Sequence, residues 1–410
     1  MYMALRSSLS RRKNFLLVWV IAPLILLQGC IDMSPPYKTL PKNLENQVQM
    51  PGIPNVRAWG DVHSDSFQQS AIESLKQEKT ASNGKLKPEI DILAISGGGA
   101  DGAFGAGLLY GWTKTGHRPQ FKLVTGISTG ALMAPFAFLG AAYDEKLRKA
   151  YTCMSDKKID KLHSRFALLL AFAGIRPLPS LASDKPLQEL IAQLIDEKVL
   201  AEIALEHNKG RRLLVGTTQL NAQRLVIWDM GAIAASNSPD KLKLFRKILL
   251  ASASLPIYFP PQNFTVEVVH HKYNEMHVDG GVEAQVMLFE SILKPISQKN
   301  KLLEGRKIRL YVIRNKKVSP EFQSIKPEFK DIAIHAIDSI YKSQGTADLY
   351  RLYAFAKHDG LDYNLAYIPE CFNVTKHSEF DNSYMYALFY RGVEMGRSEK
   401  WYKFPPGLET

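Results

Sequence analysis

Cysteine is scarce in this chain: Cys30, Cys153 and Cys371 are the only three in 410 residues. That excludes a small fold stapled by several disulfides, and two cysteines far apart beyond Cys30 say little about pairing. There is no C-x-x-C and no H-E-x-x-H, so neither a structural nor a catalytic zinc site is expected. His270, His271 and His277 cluster, but they read as a loop rather than a metal site. Acids are the minority charge, 40 against 52 Lys and Arg, for a net charge of +12. No nucleic-acid recognition motif or strongly basic helix accompanies that excess. No repeat of about 20–50 residues and no low-complexity tract occurs. What remains is ordinary globular composition, 46% hydrophobic and 22% charged, enough for one large domain or two smaller ones.

The N-terminus reads as an export signal. Arg6, Arg11, Arg12 and Lys13 precede the apolar run Phe15–Leu27, which is short for a membrane span. "LQGC" follows and resembles a bacterial lipobox, whose cysteine, here Cys30, becomes the lipidated first residue. Residue 31 is Ile, and Asp32 comes one place later than the acid that favours inner-membrane retention. The resemblance therefore implies a protein anchored in the outer membrane, on the periplasmic side. Losing residues 1–29 removes four positive charges and no negative ones, taking +12 to +8. A basic, acylated protein is drawn to anionic lipid head groups.

Residues 30–88 read as a tether and extension, with Pro35, Pro36, Pro41, Pro51 and Pro54 at its start and one short helix in "QQSAIESLKQEK". From residue 89 the pattern alternates. "EIDILAIS" and "FKLVTGIS" read as buried strands, each followed by a helix. "LLVGTTQL" and "RLVIWDM" read as paired strands, and "KLKLFRKILLASAS" as a helix stopped by "LPIYFPP". "EMHVDGG" and "KIRLYVIRN" add further strands. This alternation predicts an α/β/α sandwich with a mostly parallel central sheet over 89–320. Residues 321–410 read as a helical part packed on it, the aromatic stripe of its long helix placed in the core.

"SGGGADG" admits three readings. Gly97, Gly99 and Gly102 satisfy the G-x-G-x-x-G dinucleotide fingerprint, but no Asp or Glu lies between Asp101 and Asp144 to hold a ribose. A P-loop fails because Ala103 and Phe104 follow Gly102. A close-packed turn without a ligand is the bland reading. An oxyanion hole is the third: successive amides at a glycine turn, backed by a helix N-terminus, receive a developing negative charge.

The third reading gains from "LVTGISTGAL", where Gly126-Ile127-Ser128-Thr129-Gly130 spells G-x-S-x-G between an apolar strand and an apolar helix. Such a serine sits on a sharp turn with its hydroxyl exposed, near a helix N-terminus. Its base is open at this stage. His277, His335, His358 and His377 follow Ser128, none in a telling context, and Asp279 in "HVDGG" stands where a strand meets two glycines. An Asp with a solution pKa near ~4 is a poor base unless an apolar cleft raises it.

"GGGADG", "GISTG" and "DGG", in that order, together resemble the patatin-like phospholipase family. "LLVGTTQLNAQRLVIWDMG" and "ASASLPIYFPP" extend the match, and "FDNSYMYALFYRGVEMGR" is compatible with bacterial members. The resemblance implies a Ser–Asp dyad without histidine and without cofactor: Ser128 as nucleophile, Asp279 as base, and Gly97, Gly98 and Gly99 as the oxyanion loop. It implies a phospholipid or other lipid ester as substrate. An acyltransferase and a catalytically weak lipid-binding lipoprotein are the alternatives. One position departs from the family, which often carries Arg or Lys after G-G-G-x; here Asp101 stands there. An acid at that point opposes an oxyanion, unless it serves the helix N-terminus.

Overall fold

Strands that are apolar along their whole length need cover on both faces, and this sheet has it. The computed structural model describes residues 38–153, 161–162, 180, 182–289, 292–293, 303–322 and 324–408. The export signal and Cys30 lie outside them. In chain order the main elements are β1 (Arg57–Trp59), α1 (Asp65–Ala81), β2 (Glu89–Ile95), α2 (Gly102–Thr113), β3 (Leu123–Ile127) and α3 (Thr129–Leu139). Then come α4 (Asp144–Thr152), α5 (Lys185–Leu194), α6 (Glu197–Asn208), β4 (Arg212–Gln219), β5 (Arg224–Asp229), α7 (Met230–Ala235) and α8 (Lys241–Ser252). The last are β6 (Gln262–Val268), β7 (His271–Asp279), β8 (Lys307–Arg314), α9 (Phe329–His358), β9 (Asp362–Tyr367) and α10 (Asn382–Ser398).

The strand order is β1-β5-β4-β3-β2-β8-β9, with β7 beside the end of β4 and β6 beside β7. Pairs from β4 to β9 through β3, β2 and β8 are parallel, and β1, β5, β6 and β7 join antiparallel. Successive residues point to opposite faces. Leu93, Ile95, Val124 and Val215 face one core with α2, α3 and α8. Ile92, Ala94, Leu123 and Leu214 face another with Phe67, Ala71 and Leu75 of α1 and Leu349, Leu352 and Ala356 of α9. The result is the three-layer α/β/α sandwich with a mostly parallel sheet.

Several local expectations need correcting. The extension adds edge strand β1 as well as a 17-residue helix, entered through Ser64, whose hydroxyl caps the Phe67 amide. The C-terminal part is not all helix, because β9 extends the sheet parallel to β8. In α9 the aliphatic residues Leu349 and Leu352 take the core, while Tyr353 and Phe355 are half-buried and Tyr350 is exposed. The histidine cluster is not a loop: His271 and His277 belong to β7. The β6–β7 hairpin turns at Val269 and His270 with φ of 47° and 63°. Two-residue turns of that hand normally take Asn or Gly, so the sequence carried no turn signal there.

Helix α2 is rich in small residues for a packing reason. A Cβ on Gly107 or Gly111 would run into the backbone carbonyls of Phe389 and Val393, and one on Gly392 or Gly396 into those of Phe104 and Leu108. The backbones of α2 and α10 thus meet directly, and the C-terminal helix buttresses the helix that leaves the glycine loop.

Candidate active site

Strand β4 aligns the two ends that matter. Its first half pairs with β3, ending at Gly216 opposite Ile127. Its next residue, Thr217, pairs with Asp279 at the end of β7. Ser128 and Asp279 are therefore delivered to one point by a shared neighbour. The Ser128 hydroxyl donates to Asp279 Oδ2 at 2.6 Å. The turn is tight: Ser128 has φ 56° and ψ −125°, a region costing roughly 1–3 kcal/mol for a residue with a side chain. The backbone is held there by the Ser128 N–H donating to Ser252 Oγ (3.0 Å), which itself donates to the Gly216 carbonyl (2.7 Å). Gly130 completes the turn, since a Cβ there would strike the Ile95 carbonyl.

Asp279 is 3% exposed. Burial raises its pKa to about 7, against the opposing hydrogen bonds from Ser128 and from the Gly281 amide to Oδ1 (2.7 Å). A carboxylate near neutrality is a usable proton acceptor for a serine hydroxyl.

The glycine loop follows β2 beside this pair. Gly97 is brought next to Ser128, where a Cβ on it would lie 3.2 Å from Ser128 Cβ, while Gly98 abuts Asn315 and Gly99 abuts Glu379. The three amides are not equivalent. That of Gly97 donates to the Gln285 carbonyl at 2.9 Å and so is spent in holding the loop. Among the described residues no acceptor takes the Gly98 or Gly99 amide. Gly98 has φ 159° and Gly99 φ 58°. A Cβ on Gly98 would collide with the Asn315 carbonyl.

The residues that hold the loop carried no readable signal in the sequence. Ser96 and Asn315 lock β2 to β8: the Asn315 amide donates to Ser96 Oγ (2.8 Å), and Asn315 Nδ2 to the Ser96 carbonyl (2.9 Å). Asn315 Oδ1 accepts the Gly105 amide of α2 (3.0 Å). Gln285, which takes the Gly97 amide, donates its own N–H to Asp348 of α9 (2.7 Å) and accepts from buried Arg314 (3.2 Å). Burial lowers the Arg314 pKa to about 10, and Asp348 and Asp101 oppose the drop.

Asp101 turns out to be compensated. Its side chain is 8% exposed and lies 2.8 Å from Lys316 Nζ. Tyr384 OH donates to it at 2.9 Å. Burial works to raise its pKa, but the nearby lysines Lys316 and Lys376 outweigh it, so the carboxyl is held below its usual value. It makes no side-chain cap to the α2 amides.

The histidines are placed elsewhere. His277 is fully buried, one ring nitrogen 2.9 Å from Thr217 Oγ1 and the other 3.1 Å from Glu275. His358 is exposed beside Asp359. No described histidine is hydrogen-bonded to Ser128 or Asp279. Among the described residues no group of three or more His, Cys, Asp or Glu is placed to hold a metal ion. Cys153 and Cys371 are exposed and not joined by a disulfide. No described helix is long and apolar enough to cross a membrane.

Residues 93–289 match the family model of the patatin-like phospholipases. The chain is similar to the solved structure of VipD from Legionella pneumophila at 10% identity and a TM-score of 0.35, over 92% of this chain and 74% of that one. It is similar to the type III effector protein ExoU at 12% identity and a TM-score of 0.28, over 78% of this chain and 55% of that one. No curated protein matches it.

Proposed function

We propose that this chain, which belongs to the patatin-like phospholipase family through residues 93–289, is a lipid acyl hydrolase that works through a Ser128–Asp279 dyad. The observation that carries the reading is the 2.6 Å hydrogen bond from a strained serine to a buried carboxylate. Asp279 accepts the Ser128 proton as Oγ attacks the ester carbonyl carbon. The carbonyl π electrons move to oxygen, and the Gly98 and Gly99 amides stabilise that oxyanion, the Gly97 amide being engaged with Gln285. Collapse expels the alcohol, which leaves with the proton from Asp279. Water then gives its proton to Asp279 and attacks the acyl-enzyme, and the fatty acid departs as Ser128 recovers its proton. No step calls for a metal or cofactor.

The substrate is a glycerophospholipid or a related lipid ester. The lipobox-like "LQGC" supports a protein acylated at Cys30 and held on the periplasmic side of the outer membrane. Such an anchor raises the local concentration of substrate.

Labelling with a fluorophosphonate probe tests the nucleophile. Wild type labels and Ser128→Ala does not; equal labelling of both, or of neither, removes Ser128 from the mechanism. Product analysis with added glycerol or lysolipid then separates water from a second alcohol as acyl acceptor. Labelled fatty acid recovered mainly as a new ester makes the protein an acyltransferase.

A further inference from the structure

We infer that Lys316 is a positioning residue for the reaction: its ammonium neutralises the Asp101 carboxylate, so that the Gly98 and Gly99 amides meet a developing oxyanion without net negative charge behind them. This rests on the proposed oxyanion role of those amides. Asp101 stands two residues beyond Gly99, at the start of α2. A second carboxylate is also close, since a Cβ on Gly99 would lie 2.9 Å from Glu379 Oε1. Two cations answer the two acids. Lys376 Nζ is 2.7 Å from Glu379 Oε2, and Lys316 Nζ is 2.8 Å from Asp101 Oδ2.

The position of Lys316 is built rather than incidental. It follows Asn315, whose carbonyl abuts Gly98 and whose side chain and amide are bonded to Ser96. Asp101 in turn is held by the Tyr384 hydroxyl, and Lys376 lies over the Tyr384 ring at 6.0 Å. The four charges therefore come from three parts of the chain and converge on one loop. Removing Lys316 leaves Asp101 without its ion-pair partner, with Lys376 and Arg314 acting on it only from further away. A like charge near the oxyanion acts only when the oxyanion forms, so the cost falls on kcat and not on KM. Lys316 is 39% exposed, and water screens part of the field.

The test is a charge cycle on hydrolysis of a short-chain ester by the full chain. Lys316→Met lowers kcat about tenfold at nearly constant KM, and Lys316→Arg keeps it within about threefold of wild type. Asp101→Asn leaves the cation unmatched and raises kcat, and Lys316→Met with Asp101→Asn recovers most of the single-variant loss. Melting temperatures of all variants separate an electrostatic effect from unfolding. If Lys316→Met is unstable, Asp101→Asn decides alone: a fall in kcat makes the pair a structural strut and overturns the inference, as does wild-type kcat in Lys316→Met. Fluorophosphonate labelling of wild type at Ser128 is run alongside. Its failure removes the proposed function; its success with a flat charge cycle removes only the role of Lys316.

Discussion

The turn after β2, "SGGGADG", and the turn after β3, "GISTGA", stand on neighbouring strands and look alike in sequence, yet they use glycine for opposite purposes. After β2, glycine supplies conformation. Gly98 and Gly99 adopt φ of 159° and 58°, which leaves their two amides without an acceptor among the described residues. After β3, glycine supplies space. Gly126 and Gly130 pack against backbone with no positive φ, and the strain falls on Ser128 instead. In the proposed mechanism one turn presents donors and the other presents the nucleophile. Both roles need a helix N-terminus behind them, and α2 and α3 provide it.

The largest effect that separates the two turns is on the nucleophile's partner. Asp279→Asn lowers kcat by about 10³-fold or more, because the hydroxyl loses its proton acceptor. Steady-state hydrolysis measures it, and activity within tenfold of wild type rejects the dyad. Gly98→Ala comes next. Its Cβ meets the Asn315 carbonyl, so the loop must move, and kcat falls about 10²-fold with KM little changed. A fold-wide loss of stability in place of a kcat effect would mean that the loop is only structural.

Gly130→Ala should behave the other way. Its Cβ meets the Ile95 carbonyl, and overpacking of this kind costs about 1–3 kcal/mol. Thermal unfolding reads it as a lower Tm; Gly98→Ala, whose clash is as tight, differs in losing kcat in molecules that stay folded.

Asp279 also links activity and stability to pH. The rate should rise through an apparent pKa of about 7 on the acid side, as the base ionises. For stability the sign is reversed. The unfolded chain releases this proton near 3.8 and the folded chain near 7. Between those values the folded state binds the extra proton, so this group destabilises the fold as pH rises. Asp279→Asn therefore has a higher Tm than wild type at pH 8, and the gain shrinks towards pH 4. A gain that does not change with pH would place the shift elsewhere. The smallest effect is read in stability: Ser128→Gly gains about 1 kcal/mol by relieving φ 56°, measured as a rise in Tm.

Much of the site was legible because its parts are local. A strand, a glycine string and a helix start are separated by a few residues, and the backbone geometry each needs is written in the residue types at the turn. "DILAISGGGADG", "LVTGISTG" and "HVDGG" therefore pointed to the turns that end β2, β3 and β7, and the apolar runs to the central strands. What was not legible lies between segments. The Gly97 amide could be counted as a donor until Gln285 was seen to take it. Asp101 looked like an obstacle until Lys316, more than two hundred positions away, was seen beside it. The β6–β7 turn carried no signal because Val269 and His270 make it without glycine or asparagine, and β6 alternates buried with exposed residues; β9 follows Gly360, which reads equally well as the end of the long helix α9.

By itself, then, the sequence determined the chemistry on offer: a serine on a sharp turn, an aspartate at a strand end, and a run of glycine amides. These follow from local sterics and from spacing along one strand or helix. Only the tertiary structure decided which groups meet. The register of β4 sets Asp279 beside Ser128, burial brings that carboxylate to a pKa of about 7, and the close crossing of α2 with α10 carries Tyr384 onto Asp101. Contacts between residues distant in the chain, and the low dielectric they enclose, exist only once the sheet and its two helical layers have closed.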